Sequence, residues 1–299
     1  MNRKKNKSMK QLLLILIVII FPITVMAELG PRAKIIFVHH SMGALMLGNR
    51  TLKPRGFAKA EDLQMCVKIE ELNRKNGTNV ELYHHDRDIW DSLRDCDNNL
   101  VEPSWGNIVM GKDGNTPSHW QRLFINNEWP EVRKKFLEYD VIVIKNSYQT
   151  VQDDHSPGYE EDPKGAYTIV DKMAEWKQNL RDLAMYFRQN YPDKILVHLG
   201  LAPRRGLASE GIGIHYPKKE VADASRVFAQ WMADEWVCLA PNIRFFYWFD
   251  YLADKNNTMD KRWRYSGSHY TPARGKEIGL ILSEYLYEVA TLNTTNGCK

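Results

Sequence analysis

The sequence predicts an α/β protein, a three-layer α/β/α sandwich around a central, mostly parallel sheet of about five strands. Short apolar runs rich in β-branched residues alternate with longer segments of helical periodicity, which is typical of consecutive β-α units. The runs are apolar on both faces, as expected for strands covered by helices on both sides. With 299 residues and 43% hydrophobic content, the chain can bury a sizeable core.

Five apolar runs predict the strands of the sheet. They lie at residues 34–38, 80–84, 141–145, 194–199 and 243–249. Two stretches rich in polar residues, glycine and proline, at 95–117 and 149–165, interrupt the pattern. We expect both stretches to be long surface loops, a common place for site-lining residues.

Three helices follow from the spacing of apolar residues. A stripe in 4-3 spacing over residues 169–187 predicts one helix, and a second is expected over 221–236. The last helix should begin at Thr271 and Pro272, because threonine is a common N-cap and proline suits the first helical position.

The N-terminus has the composition of an export signal. Five basic residues precede an apolar run at 12–21, and small residues near Ala27 suit a signal peptidase. We therefore expect a signal peptide at 1–27 and a single α/β domain at 28–299, secreted or periplasmic. The apolar run is shorter than the roughly 20 residues that span a bilayer, so stable membrane insertion is not expected after cleavage; an uncleaved segment would be an anchor.

Charge and cysteine content restrict the partners and the compartment. The signal holds five basic residues and no acidic one, so removing it changes the formal net charge from +4 to about −1. Without a basic patch interleaved with aromatics, no nucleic-acid partner is expected. The four cysteines lack metal-binding spacing, and in an oxidising compartment they are expected to pair.

A serine follows the first predicted strand in the segment His39-His40-Ser41-Met42-Gly43. A serine there can project its hydroxyl from the carboxyl edge of the sheet, where parallel α/β sheets place their sites. The backbone N–H groups that follow, including that of Gly43, could then face an oxyanion. The alternative is a serine that only caps the next helix.

Three segments in order resemble the SGNH/GDSL hydrolases. Ser41 after the first strand resembles the nucleophile block of that family, and His269 just before the final helix resembles its histidine block. Asn146, at the end of the 141–145 strand, resembles the oxyanion asparagine. The resemblance implies a flavodoxin-like SGNH fold and an esterase without a cofactor or a metal, acting on a small-molecule or carbohydrate ester.

The resemblance also implies a role for each of these residues. His269 would take the proton of Ser41, whose oxygen would attack the ester carbonyl, and Asn146 with the Gly43 N–H would stabilise the oxyanion. Lys145 stands where the family usually has glycine and could add positive charge.

One expected catalytic group is missing from its usual place. The aspartate that normally lies three residues before the histidine is Ser266 here. Asp250, at the predicted end of the last strand, is our candidate for the acid that orients His269, and Asp260 is also near in sequence.

Three other functions remain open at the level of sequence. An O-acyltransferase would share the acyl-serine step and differ only in the acceptor. A non-catalytic carbohydrate-binding protein of the same fold would use some of the nine tryptophans. A metal-dependent hydrolase would use histidines and aspartates at strand ends. These are His39, His40, His84, His85, Asp86, Asp88 and His198.

Overall fold

The computed structural model describes residues 32–39, 42–48, 63–86, 92–102, 117–145, 169–204, 206–207, 219–265, 269–292 and 298. The predicted signal peptide, Ser41, Asn146 and most of the two predicted loops lie outside the described residues. None of the described helices combines the length and the apolar composition that crossing a bilayer requires.

The chain alternates strands and helices as the sequence predicts. The first half contains β1 (Arg32–His39), α1 (Met42–Leu47), α2 (Gln64–Asn76), β2 (Asn79–Asp86), β3 (Ser92–Arg94), β4 (Leu100–Glu102), α3 (Pro117–Phe124) and α4 (Pro130–Phe136). The second half contains β5 (Val141–Lys145), α5 (Ile169–Asn190), β6 (Ile195–Leu199), α6 (Lys219–Asp234), β7 (Ile243–Phe246), α7 (Phe249–Leu252) and α8 (Pro272–Leu292). Two 3₁₀ turns lie at Trp236–Leu239 and Lys261–Trp263.

The strands form one mixed sheet in the order β4-β3-β2-β1-β5-β6-β7. The five predicted strands are the parallel part, and β1 lies between β2 and β5. The sheet has seven strands among the described residues, which corrects the expected five. The two additions, β3 and β4, pair antiparallel at the edge beyond β2.

Helices cover both faces of the sheet, which confirms the three-layer class. On β1, Ile35 and Phe37 face a core shared with α1, α2 and α8, whereas Ile36 and Val38 face a core shared with α3, α5 and α6. All four side chains are fully buried. This alternation follows from the period of two along a strand, and it explains why the strands are apolar on both faces.

The cysteines form two disulfides. Cys66 on α2 is bonded to Cys96 just after β3, and Cys238 in the first 3₁₀ turn is bonded to Cys298 near the C-terminus. The first disulfide fastens the short edge strands to α2. The second ties the end of the chain to the segment before β7.

Candidate active site

The segments on either side of the predicted nucleophile are tightly packed. β1 ends at His39 and α1 begins at Met42, so Ser41 is the residue that directly precedes a helix whose six residues are all buried. A Cβ atom added at Gly43 would overlap the Cβ of His39. Glycine at this position therefore lets the first turn of α1 lie directly against the end of β1.

Two glycines hold α1 against the start of α8. A Cβ added at Gly275 would come within 2.7 Å of the Leu45 side chain, and one at Gly279 would overlap the backbone of Met46. The two helices thus approach at backbone distance. Because α8 directly follows the segment of His269, this contact brings α1 and the histidine segment to one side of the sheet.

A buried tyrosine joins these two segments directly. The Tyr270 hydroxyl donates to the Met42 carbonyl at 2.5 Å, and the Tyr270 side chain is fully buried. Its ring also meets the Trp248 ring edge to face, at 6.0 Å between centroids. Burial raises the pKa of Tyr270 well above its ordinary value, so the hydroxyl remains a donor.

His269 lies in a small antiparallel turn that precedes α8. Its carbonyl accepts a hydrogen bond from the Tyr265 N–H at 2.9 Å, and Arg264 pairs with Tyr270 as an antiparallel bridge. His269 as a residue is partly buried. The backbone of the segment is therefore held on both sides of the histidine.

Buried polar side chains lie at the carboxyl ends of β1, β2 and β5. His39 Nε2 lies 3.2 Å from His84 Nδ1, and both side chains are at least nine-tenths buried. Lys145, the last residue of β5, is also buried. Val143 on β5 pairs in register with Phe37 on β1. Lys145 lies two residues after Val143, and His39 lies two residues after Phe37.

The imidazoles of this cluster are neutral at neutral pH. Burial lowers the pKa of His39 well below 6.5, and His84, His85 and Lys145 lower it further. Burial together with the charge of Arg94 lowers the pKa of His84 to about 4. One ring nitrogen of each imidazole serves the hydrogen bond between them, so within the part of the chain that the structure describes His39 Nδ1 and His84 Nε2 have no hydrogen-bond partner.

Two other histidines at strand ends, His85 and His198, do not join this pair, and His40 lies outside the described residues. His85 pairs in register with Val38 and His84 with Phe37, so the two consecutive histidines point to opposite faces. His198 packs against the Trp236 ring at 5.6 Å, in the core on the opposite face from Phe37. Among the described residues, no group of three or more histidine, cysteine or acidic side chains is arranged to hold a metal.

Asp250, the candidate acid, lies in the first turn of α7. Its Oδ1 forms an ion pair with Arg226 Nη2 at 3.0 Å, and its side chain is 49% exposed. Asp260 instead caps the second 3₁₀ turn and binds the Arg262 guanidinium through both oxygens. Asp250 remains a prediction as the orienting acid, with Arg226 as its observed partner.

Two features of the site were not anticipated from the sequence. The bond from Tyr270 to Met42 joins residues 228 positions apart, and no local pattern indicates it. The contact between His39 and His84 depends on the parallel register of β1 and β2. The only indication of this contact in the sequence was that histidines lie at the ends of successive predicted strands.

Comparison with known proteins finds distant similarities among solved structures. No family model and no curated protein matches the chain. Among solved structures, a GDSL-like lipase from Parabacteroides merdae is 14% identical, with 88% of this chain and 96% of that chain covered and a TM-score of 0.42. The parallel order of β2, β1, β5, β6 and β7, with the histidine segment before the last helix, is the layout that the sequence resemblance implies.

Two further solved structures are similar. A variant of an acetyl-xylooligosaccharide esterase from Geobacillus is 11% identical, with 87% of this chain and 95% of that chain covered and a TM-score of 0.42. A structure described as a platelet activating factor from Streptococcus is 17% identical over 50% of this chain, with a TM-score of 0.34. The chain spans 59% of the length of that second structure. At these identities the likeness concerns the fold.

Proposed function

We propose that the protein is an exported serine hydrolase that cleaves ester bonds. The observation that carries the proposal is the hydrogen bond from Tyr270 to Met42. These two residues directly adjoin His269 and Ser41 in the chain, and consecutive Cα atoms are only about 3.8 Å apart. The bond therefore supports placing the segment of the proposed base next to the segment of the proposed nucleophile.

The proposed reaction is acyl transfer in two steps. His269 accepts the Ser41 proton while the serine oxygen attacks the ester carbonyl, and the C–O bond to the alcohol then breaks as His269 returns the proton to that alcohol. Water, deprotonated by the same histidine, then attacks the acyl carbon, the bond from that carbon to the Ser41 oxygen breaks, and the histidine returns the proton to Ser41. Asn146 and the Gly43 N–H are the proposed donors to the oxyanion, with Lys145 as a nearby positive charge.

Asp250 is the proposed acid that orients His269. The Arg226 ion pair uses Oδ1, and a carboxylate has a second oxygen that can accept a hydrogen bond. α7 follows Trp248, whose ring contacts Tyr270, so Asp250 belongs to an element that packs beside the histidine segment. The proposed substrate is a small-molecule or carbohydrate ester, and no nucleic-acid partner is proposed.

Export is part of the same proposal. The two disulfides support an oxidising compartment, where such bonds form and persist. With the signal at 1–27 removed, residues 28–299 would form the mature domain, secreted or periplasmic.

Hydrolysis of 4-nitrophenyl acetate by the mature chain tests the activity. We expect turnover that is lost in Ser41→Ala and retained in Ser225→Ala. Ser225 is a suitable control because its hydroxyl binds the Val221 carbonyl within its own helix. Equal turnover in wild type and Ser41→Ala would contradict the proposal. Sugar binding that survives Ser41→Ala, without any turnover, would instead favour a non-catalytic binding protein.

A further inference from the structure

Two buried histidines meet at the carboxyl edge of the sheet, and the proposed acyl transfer uses neither of them. His39 Nε2 lies 3.2 Å from His84 Nδ1, and the two ring centroids are 5.4 Å apart. Within the described part of the chain, the second nitrogen of each ring has no hydrogen-bond partner, although both residues are more than nine-tenths buried. Burying polar atoms without partners costs free energy, so packing alone does not explain this pair.

The pair follows apolar residues on the same face of the sheet. Phe37 on β1 and Leu82 on β2 lie two residues earlier, so they share the face of His39 and His84, and both belong to the core shared with α1, α2 and α8. Apolar side chains would fill the two histidine positions without the cost of burying an imidazole. The change from apolar to polar falls at the carboxyl edge, where parallel sheets place their sites.

His39 contacts the helix that follows Ser41. It is the last residue of β1 and lies two residues before Ser41, so their Cα atoms are at most about 7 Å apart. The first turn of α1 packs on its side chain, because a Cβ added at Gly43 would overlap the His39 Cβ and lie 3.3 Å from its Cγ. Both ends of the short segment that carries Ser41 are therefore anchored at His39.

His84 holds the imidazole of His39 in one orientation. Burial, with the charges of Lys145 near His39 and of Arg94 near His84, keeps the pKa of both imidazoles below the ordinary 6.5, so both rings are neutral at neutral pH. A neutral imidazole has one donor and one acceptor nitrogen, so a single N–H lies between the rings and fixes their relative orientation. His84 is held in turn, because β2 pairs with β1 on one side and β3 on the other.

Resting on the proposed function, we propose that His39 is a positioning residue and that His84 acts through it. The hydrogen bond between the rings fixes the His39 side chain, the first turn of α1 packs on that side chain, and the segment between them presents the Ser41 oxygen to the ester carbonyl. Loss of His84 frees the His39 ring to rotate and displaces the serine from the position of attack, which lowers the rate. Neither histidine contacts the substrate, so the effect falls on kcat and not on KM.

Substitutions at His84 separate the hydrogen bond from the volume of the side chain. Asparagine places an amide atom near the position of Nδ1, the nitrogen that meets His39, whereas the amide of glutamine reaches toward that of Nε2. With 4-nitrophenyl acetate we expect kcat of the mature chain to fall about tenfold in His84→Leu and His84→Gln, and to stay within about threefold of wild type in His84→Asn. KM should stay within about twofold in all three variants. A purely structural role predicts that glutamine is tolerated better than asparagine, because it fills more of the histidine volume.

His198→Leu is the matched control. His198 is also fully buried, it packs on the opposite face of the sheet, and neither of its ring nitrogens has a hydrogen-bond partner among the described residues. This variant should lower the melting temperature about as much as His84→Leu and leave kcat unchanged.

Three results would overturn the inference while turnover by the wild type leaves the hydrolase proposal intact. They are an unchanged kcat in His84→Leu, an equal loss of kcat in His84→Leu and His198→Leu, and a higher kcat in His84→Gln than in His84→Asn. If His84→Leu does not fold, the comparison of asparagine with glutamine decides alone. A wild type that cleaves no ester would overturn the proposed function and this inference with it.

Discussion

The hydroxyl of Tyr270 donates to the carbonyl of Met42 at 2.5 Å, across 228 residues of sequence. Both ends of this bond are buried, and each residue directly adjoins one member of the proposed Ser41–His269 pair. The hydrogen bond thus joins the start of α1 to the segment that precedes α8, and it involves the side chain of neither proposed catalytic residue.

Removing that link should lower both the stability of the fold and the activity. In Tyr270→Phe, the Met42 carbonyl loses its buried donor, and we expect a cost of about 1–2 kcal/mol in the free energy of unfolding. Ester turnover should fall about tenfold, because small displacements of catalytic groups are costly. Urea unfolding and turnover, measured on the same preparation, check both values.

A matched control lies further along α8. The Tyr287 hydroxyl is bonded to the Thr78 hydroxyl at 2.6 Å. Tyr287→Phe should cost similar stability and leave turnover unchanged. If both variants lost activity alike, the effect would be one of general stability and not of the link between Tyr270 and Met42.

The close approach of α1 and α8 should make Gly279 intolerant of any side chain. The new methyl group in Gly279→Ala would overlap the backbone of Met46, which cannot move aside as a flexible side chain could. We expect a loss of about 2–3 kcal/mol in the free energy of unfolding. Gly77→Ala is the comparison, because its φ of 68° is strained for alanine but the space around it is open. It should cost only about 1 kcal/mol.

Buried neutral histidines should make the fold acid-sensitive. Burial lowers the pKa of His84 to about 4 and that of His198 to about 3, both from 6.5. Above pH 6.5 such a histidine is neutral in both the folded and the unfolded chain, and the free energy of unfolding is at its full value. Between pH 6.5 and the folded pKa only the unfolded chain takes up the proton, so the free energy of unfolding decreases as the pH falls. Each such group adds a slope of about 1.4 kcal/mol per pH unit between those limits.

His198→Phe isolates one of these groups. It keeps an aromatic ring between Trp236 and Phe245 but removes the titration. We expect the free energy of unfolding of this variant to fall less steeply between pH 6.5 and 4 than that of wild type. The difference in slope should be about 1.4 kcal/mol per pH unit, the contribution of one proton. A slope identical to that of wild type would show that His198 is protonated in the folded protein.

The role of Asp250 can be separated from its ion pair. Asp250→Asn should lower kcat by about a hundredfold or more if the carboxylate orients His269, with little change in melting temperature because the Arg226 pair is half exposed. Arg226→Ala removes the ion pair and leaves the carboxylate, so it should keep most of the activity. Full activity in Asp250→Asn would remove this residue from the mechanism.

The sequence was sufficient for the parallel strands and the long helices, where periodicity is strong. β5 was predicted with its observed ends, and α8 begins at Pro272 as its cap signals indicated. The short strands β3 and β4 were missed because three residues give no measurable alternation. β7 ends at Phe246 and not at Phe249, because the apolar run continues into α7, whose Phe249 and Leu252 are also buried.

The site was predictable only where its residues follow strand ends. The contact of His39 with His84 requires the register of a parallel pair, which a single sequence does not encode locally. The partner of Asp250 depends on how α6 packs beside α7. Ser41 and Asn146 remain predictions from motif and position.

The most direct test of the proposed mechanism is labelling of the mature protein with a fluorophosphonate, followed by peptide mass spectrometry. An activated serine forms a covalent phosphonyl adduct, whereas a capping serine does not. The proposed mechanism predicts one adduct on Ser41 that is lost in His269→Ala and retained in His198→Phe. An unmodified Ser41, or equal labelling without His269, would contradict it.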